Sequence, residues 1–385
     1  MGGVETYLEQ IIPALHNNGH QTFFWYELDA PATHEQISVP DKIAKCCVSA
    51  SGYEQALAAL REWGPDVIYA HGLLDPELEA TTMKIAPAVF FAHSYYGACI
   101  SGTKMFSQPI VTPCSRKFGW QCLLHYYPHR CGGLSPLTML KDYRLQKKRL
   151  RLLQQYKAVV TNSQHMQEEF AKYGLTVNCV HYPVNGKPAL GEKKPKSYWH
   201  LLFAGRMEQP KGTSILLEAL PKVASALSCQ INVTFAGDGT QRQELERKAT
   251  AMQQRISNLN FTFTGWIGKE QLVSLLDDCD LLVVPSLWPE PFGLAGPEAG
   301  LRGVPATAFA VGGIPDWLID GVNGCLAPGN PPTSEGLAEA IEKCLRDADF
   351  HSRLRHGAFE VAQRFKLENH LELLSKLFAE TAKRS

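Results

Sequence analysis

No run of apolar residues in this 385-residue chain approaches the roughly 18 that a membrane-crossing helix needs. The greasiest stretches, Ala86 to Ala92 and Leu281 to Leu287, have the length of buried strands. An excess of charge of one sign is missing too. With 38 Lys and Arg against 38 Asp and Glu, the composition carries no signature of a globally basic nucleic-acid binder or of long disorder. The start, MGGVET, lacks the basic stretch followed by an apolar one that marks a secretory signal, although Gly2 and Thr6 formally fit a myristoylation pattern. Eleven cysteines occur without a regular extracellular framework, which favours reduced thiols and a cytoplasmic setting. There is no short repeat, so solenoids and propellers are not expected.

What the chain does have is a strand and helix rhythm over almost its whole length, the α/β pattern, in a chain long enough for two to three domains. Val4, Leu8, Ile11, Ile12 and Leu15 recur at helical spacing, and strands are expected at 22–26, 67–70, 89–92 and 158–161. The segment NGKPALGEKKPKS, 185–197, reads as a linker. Beyond it strands are expected at 201–204, 232–236, 260–264, 281–285 and 306–308. The expected units are 1–190 and 198–365, with a last helix in 366–385 free to pack on either. Two open parallel sheets place ligands at the carboxyl ends of their strands, in a cleft between the units.

The densest chemical signal is LLVVPSLWPEPFGLAGPEAGLRGVP, 281–305. It reads as a buried strand, a loop holding Glu290, Pro291, Phe292, Gly293 and Leu294, and a helix with Pro297 first and Glu298 in its opening turn. The loop amides and the helix dipole suit an anion, and the two carboxylates suit sugar hydroxyls. In GRMEQPKG, Gly205 ends a strand and Arg206 and Lys211 flank a turn, two cations able to neutralise a diphosphate. A third strand ends in Gly237-Asp238-Gly239, too short for a dinucleotide fingerprint, and a nicotinamide reading fails.

These residues together resemble the donor site of retaining GT-B glycosyltransferases of family four, whose signature is two glutamates eight positions apart with PFG after the first. The resemblance continues through Gly303-Val304-Pro305, Val311 to Pro315 and Gly321 to Gly324. It implies a GT-B fold, two Rossmann-like doubly wound domains facing across a cleft. The N-terminal one would bind the acceptor and the C-terminal one a nucleotide-diphosphate sugar. The implied reaction is hexosyl transfer to an acceptor hydroxyl of a glycan, a lipid-linked or a small molecule, as in polysaccharide biosynthesis, with no cofactor and no metal. It further implies that Glu290 holds donor-sugar hydroxyls, Glu298 the ribose, and Arg206 and Lys211 the leaving diphosphate. Trp266 lies by the base or in the core. His93 faces the donor sugar, His71 the acceptor side, and Gly2-Gly3 form a glycine-rich loop near the phosphates. The strand that usually precedes that loop is absent from this sequence. A nucleotide-sugar epimerase or a phosphorylase on the same fold, and a non-catalytic sugar-nucleotide-binding subunit, are the alternatives.

Two features stand outside that reading. Cys114, Cys122 and Cys131 lack the CxxC spacing of common zinc sites, which leaves zinc, a disulfide or free thiols open. The segment 141–157 is a basic helix, read either as a solvated face or as a weak contact with an anionic membrane.

Overall fold

A computed structural model describes residues 3–29, 37–184, 186–191 and 196–383. In the N-terminal half, helix α1 (Gly3–Asn17) leads to a parallel pair, β1 (Phe23–Tyr26) and β2 (Ala44–Cys47). A four-stranded parallel sheet follows, in the order β3 (Ile68–Ala70), β4 (Ala88–Ala92), β5 (Ala158–Thr161) and β6 (Val177–Cys179). Helix α2 (Pro136–Leu153) precedes β5 and α3 (Gln164–Ala171) follows it. The segment expected as a glycine loop is already helical at Gly3, while Gly2 lies outside the described residues. Strands β1 and β3 do not pair with each other. A cavity of about 1500 Å³ separates them, walled by Leu8 and Ile12 of α1, Phe24 of β1 and Tyr69 of β3.

The C-terminal half is built on β7 (Tyr198–Ala204), β8 (Gln230–Ala236), β9 (Leu259–Gly265), β10 (Leu281–Val284), β11 (Ala306–Phe309) and β12 (Gly324–Ala327). All pair in parallel, in the order β9-β8-β7-β10-β11-β12. The order reverses between β7 and β10, where Leu201 and Leu202 face Leu281 and Leu282. Helices leave the ends of these two strands toward opposite flanks of the sheet, and that divergence opens a crevice at their carboxyl ends. The sites expected from sequence sit on the two loops that leave β7 and β10. Strands β2, β6 and β12 were not anticipated, because AKCC, VNC and GCLA carry no sustained apolar run.

Contacts at several points hold the halves together. Residues 186–191 of the linker lie on the C-terminal half, where the Ala189 amide donates to the Leu301 carbonyl at 2.8 Å. The last helix, α6 (Leu367–Ala382), returns to the N-terminal half. Its His370 contacts the Tyr7 hydroxyl at 2.8 Å, and its Phe378 ring lies 5.0 Å from that of Tyr69. At the cleft, the Tyr95 hydroxyl donates to the Pro289 carbonyl at 2.7 Å.

Candidate active site

The loop leaving β7 is fixed by backbone contacts that only glycine allows. Gly205, Gly237 and Gly239 all have positive φ, and a Cβ at Gly237 would lie 2.0 Å from the Gly205 carbonyl oxygen, one at Gly239 2.5 Å from that of Met207. The Gly-Asp-Gly element therefore acts first as a closely packed buttress under the Arg206 loop. The same loop ends at Gly212, where a Cβ would lie 1.8 Å from the Pro285 oxygen. The Leu287 amide also donates to Pro210 at 2.8 Å, so the β7 and β10 loops are joined directly. Helix α4 (Thr213–Ala226) starts from this junction.

That junction brings Lys211 Nζ to 2.6 Å from Glu290 Oε1, which also accepts the Ser286 hydroxyl at 2.7 Å. Glu290 is buried. Burial alone would raise its pKa, but the Lys211 ammonium and the donated hydrogen bonds outweigh it and hold the carboxyl below its ordinary range. Lys211 also lies 5.5 Å from the Trp288 ring. Behind Glu290, the Gly313 amide donates to its carbonyl at 2.7 Å, and a Cβ at Gly312 would lie 2.3 Å from the same oxygen. Arg206, by contrast, is exposed, and among the described residues its guanidinium has no hydrogen-bond or ion-pair partner.

Glu298 lies in the short helix α5 (Ala295–Gly300). Pro297 is its third residue, not the first as expected from sequence. The position is tolerated for the same reason, since the first four amides of a helix have no intrahelical acceptor. Gly296 is fixed by Trp317, whose ring would lie 2.1 Å from a Cβ there and whose Nε1 donates to the Phe292 carbonyl at 2.7 Å. Gly293 turns the loop at φ 91 beside the same ring, and Pro291 and Phe292 are buried. The amides of Phe292, Gly293 and Leu294 meet no protein acceptor among the described residues. The Glu298 carboxyl is half-buried and accepts no hydrogen bond there either, and burial pushes it up to about 7 against the opposing pull of Lys269. Trp266, next to the Gly237 and Gly265 contact, is 70% exposed and so is not part of the core. The Asp238 carboxylate accepts from the Gly239 amide and pairs with Arg242 at 3.0 Å.

In the N-terminal half, His93 follows directly on the end of β4. Both its ring nitrogens are engaged: Nε2 with His71 Nδ1 at 2.8 Å, and Nδ1 with the Tyr182 hydroxyl. Burial lowers the pKa of His71 to about 3, and burial and the neighbouring His71 lower that of His93 well below its usual value, so the pair is neutral. The histidines thus form a buried polar chain with Tyr182, whose ring stacks on His93 at 5.8 Å. Sequence reading missed Ser286, Tyr95 and Tyr182. Ser286 lay within the conspicuous 281–305 run, and the other two carry no local signal.

Cys114, Cys122 and Cys131 are half-buried free thiols. Burial raises the pKa of all three, that of Cys131 to about 12. The one set of three metal-type donors within 4.8 Å of one another among the described residues lies elsewhere, at Cys179, His181 and Asp316. There Asp316 Oδ2 contacts His181 Nε2 at 3.0 Å and accepts the Gln164 amide at 2.7 Å, which braces α3 of one half against the other.

Comparison with known proteins agrees with this geometry. Residues 1–185 match the model of Glycosyltransferase Family 4, and 191–361 that of Glycosyl transferases group 1. The chain is similar to the glycogen synthase of Mycobacterium tuberculosis, 27% identical over 294 residues, 74% of this chain and 62% of that protein. It is 30% identical over 184 residues to the D-inositol 3-phosphate glycosyltransferase of Xylanimonas cellulosilytica, covering 48% of this chain and 43% of that one. It thus spans less than two thirds of the length of these relatives. In fold it resembles sucrose-phosphate synthase from Thermosynechococcus elongatus (TM-score 0.71, 20% identity, 100% and 94% coverage). It also resembles Anabaena Alr3699/HepE in complex with UDP-glucose (TM-score 0.66, 20% identity, 99% and 96% coverage). A crevice at the switch point of one parallel sheet, faced by a second, and two family models that together run from residue 1 to 361 lead to one conclusion: the chain belongs to the group 1 glycosyltransferases and has their GT-B fold.

Proposed function

We propose that this protein transfers a sugar from a nucleotide-diphosphate sugar to an acceptor hydroxyl, with retention at the anomeric carbon. The observation that carries the reading is the junction of the β7 and β10 loops. It sets a buried, ionised Glu290 against Lys211 and leaves the neighbouring Arg206 guanidinium without a partner among the described residues. An exposed arginine beside a lysine is suited to a diphosphate, by a fork and a point charge. Glu290 holds hydroxyls of the donor sugar, Glu298 the ribose, and the exposed Trp266 ring stacks on the base. That Alr3699/HepE binds UDP and glucose on the same fold supports a nucleotide sugar in this crevice. The N-terminal unit receives the acceptor.

In this mechanism no protein nucleophile is needed. As the bond from sugar to phosphate lengthens, negative charge grows on the leaving diphosphate, where Arg206 and Lys211 stabilise it, and the diphosphate takes the proton of the incoming hydroxyl. Stabilisation of this kind accelerates the reaction because it grows as charge develops. His93, with both nitrogens engaged, helps by fixing the shape and neutrality of the facing wall.

Arg206→Ala and Lys211→Ala test the reading. Each removes a charge-assisted contact of about 1.5 to 3 kcal/mol, or on the order of 10- to 150-fold in turnover. Arg206→Ala should lose turnover with an unchanged melting temperature. Lys211→Ala should also melt earlier, because it strands a buried carboxylate. Turnover within twofold of wild type in both variants would overturn the assignment. Donor conversion without acceptor would point to an epimerase.

A further inference from the structure

The charge neutrality of the whole chain hides a strong local segregation. Residues 104–157 contain eleven lysines and arginines and a single acidic residue, Asp142. The same segment carries a concentration of exposed apolar side chains. Of the sixteen large hydrophobic residues that are exposed among the described residues, seven lie between 110 and 140, including Trp120 at 64%, Leu134 at 71% and Leu137 at 80%. Single exposed leucines need no explanation, whereas a cluster of this kind does.

The fold gathers these residues onto one element group. The Ile110 loop is tied to the Gln121–His125 helix and its extension, since the Ser107 amide donates to the His129 carbonyl at 2.9 Å and the Phe106 and His129 rings stack at 4.1 Å. That segment is tied to α2 by Phe118 and Tyr143, with ring centroids 5.3 Å apart. Helix α2 is held inward by Gln146, whose side chain accepts the Gly97 amide at 2.8 Å. Its exposed stripe then runs Leu137, Leu140, Lys141, Arg144, Lys147 and Arg151 at helical spacing, apolar at the start and cationic beyond. Ser135 and Pro136 start the helix about one and a half turns ahead of Lys141, where its basic part begins, which joins the apolar to the basic face.

We infer that this face, formed by 110–130 and the outer stripe of α2, docks on the surface of a bilayer with anionic headgroups, the leucines and Trp120 entering the interface and the cations facing the headgroups. The combination selects the partner. Apolar side chains at the edge of a cationic stripe match the boundary between acyl chains and anionic headgroups, and either component alone binds bilayers only marginally. A nucleic acid would satisfy the cations and leave the leucines in water. No helix among the described residues is long and apolar enough to cross a membrane, so the contact is peripheral. The inference goes beyond the transfer reaction and does not depend on it.

The test is co-sedimentation of the full chain with vesicles of phosphatidylcholine alone and of phosphatidylcholine with about one third phosphatidylserine, at low and high salt. Binding to the anionic vesicles is expected to exceed that to neutral ones by tenfold or more and to fall as salt rises. It should drop about tenfold in Lys141→Glu/Lys147→Glu and likewise in Leu137→Ser/Leu140→Ser, while melting temperature and donor binding stay unchanged because the altered side chains are exposed. No binding to anionic vesicles, or equal binding to both kinds, would overturn the proposal, as would indifference to both double substitutions. A dimer seen by light scattering that dissociates in Leu137→Ser/Leu140→Ser, with no vesicle binding, would assign the face to a second copy instead.

Discussion

At the scale of single residues, the two glutamates eight positions apart are in opposite electrostatic states. Glu290 is buried and ionised because Lys211 and Ser286 compensate it, whereas the half-buried Glu298 has no hydrogen-bond partner among the described residues and is pushed up to about 7 by burial. A carboxyl whose pKa is raised on folding binds its proton more tightly in the native state. Its contribution to stability is complete below the unfolded value of about 4.5 and is lost as pH rises through about 7. Hydroxyl donors from a ribose favour the ionised form, so nucleoside diphosphate binding should tighten as pH rises from 6 to 8. Calorimetry across that range should show the rise in wild type and a smaller one in Glu298→Gln, where only the terminal phosphate of the nucleotide, with its second pKa of about 6, still titrates. Glu290→Gln should instead lower turnover with little change in affinity for the bare nucleoside diphosphate, since its place is beside the reacting sugar. Equal weakening of nucleotide binding in both variants would remove the division of roles.

At the scale of elements, the site depends on how closely one loop backbone rests on another. Gly212, at φ 69, lies where a Cβ would overlap the Pro285 carbonyl oxygen. Gly212→Ala should therefore push the β7 loop away from the β10 loop, at a cost of about 1 to 3 kcal/mol. Because Lys211 is the preceding residue, turnover should fall further than stability alone explains. Thermal melting and steady-state kinetics on the one variant separate the two effects. A Gly212→Ala protein with wild-type melting and turnover would show that the junction does not position Lys211. Gly64, also left-handed at φ 62 but with nothing nearer to a Cβ than the Arg61 carbonyl oxygen at 4.0 Å, is the matched control for backbone strain without the clash.

At the scale of the whole molecule, the crevice is completed by contacts between the halves. Tyr95, buried in the N-terminal half, donates to Pro289, the residue before Glu290, and its hydroxyl also lies 3.0 Å from His165 Nε2. Tyr95→Phe keeps the ring and removes the hydroxyl with its hydrogen bond to Pro289 and its contact with His165, a hydrogen bond of this kind being worth about 0.5 to 1.5 kcal/mol. Turnover is expected to fall about three- to tenfold, with the Michaelis constant for donor rising in step, since the loop that holds Glu290 loses its anchor on the opposite half. Unaltered kinetics would mean that the β10 loop is positioned by its own half alone.

Local chemistry made much of this legible in the sequence. Parallel strands of this kind are short apolar runs, so nine of them could be located from the pattern of apolar residues alone. The functional loops have to follow such strands, and the glycines, the paired glutamates and the arginine and lysine pair stand out at those positions. What the sequence left open depended on contacts between distant segments. Strands such as AKCC and GCLA become strands through pairing with a neighbour, not through their own pattern. The choice for Trp266 between core and exposed ring, the neutral chain of His71, His93 and Tyr182, and the opposite ionisation of Glu290 and Glu298 all follow from burial and from partners tens to hundreds of residues away. A linear sequence gives the residue types available to a site. Which carboxylate is hydrogen-bonded to a lysine and which only feels one at a distance is decided when the chain folds.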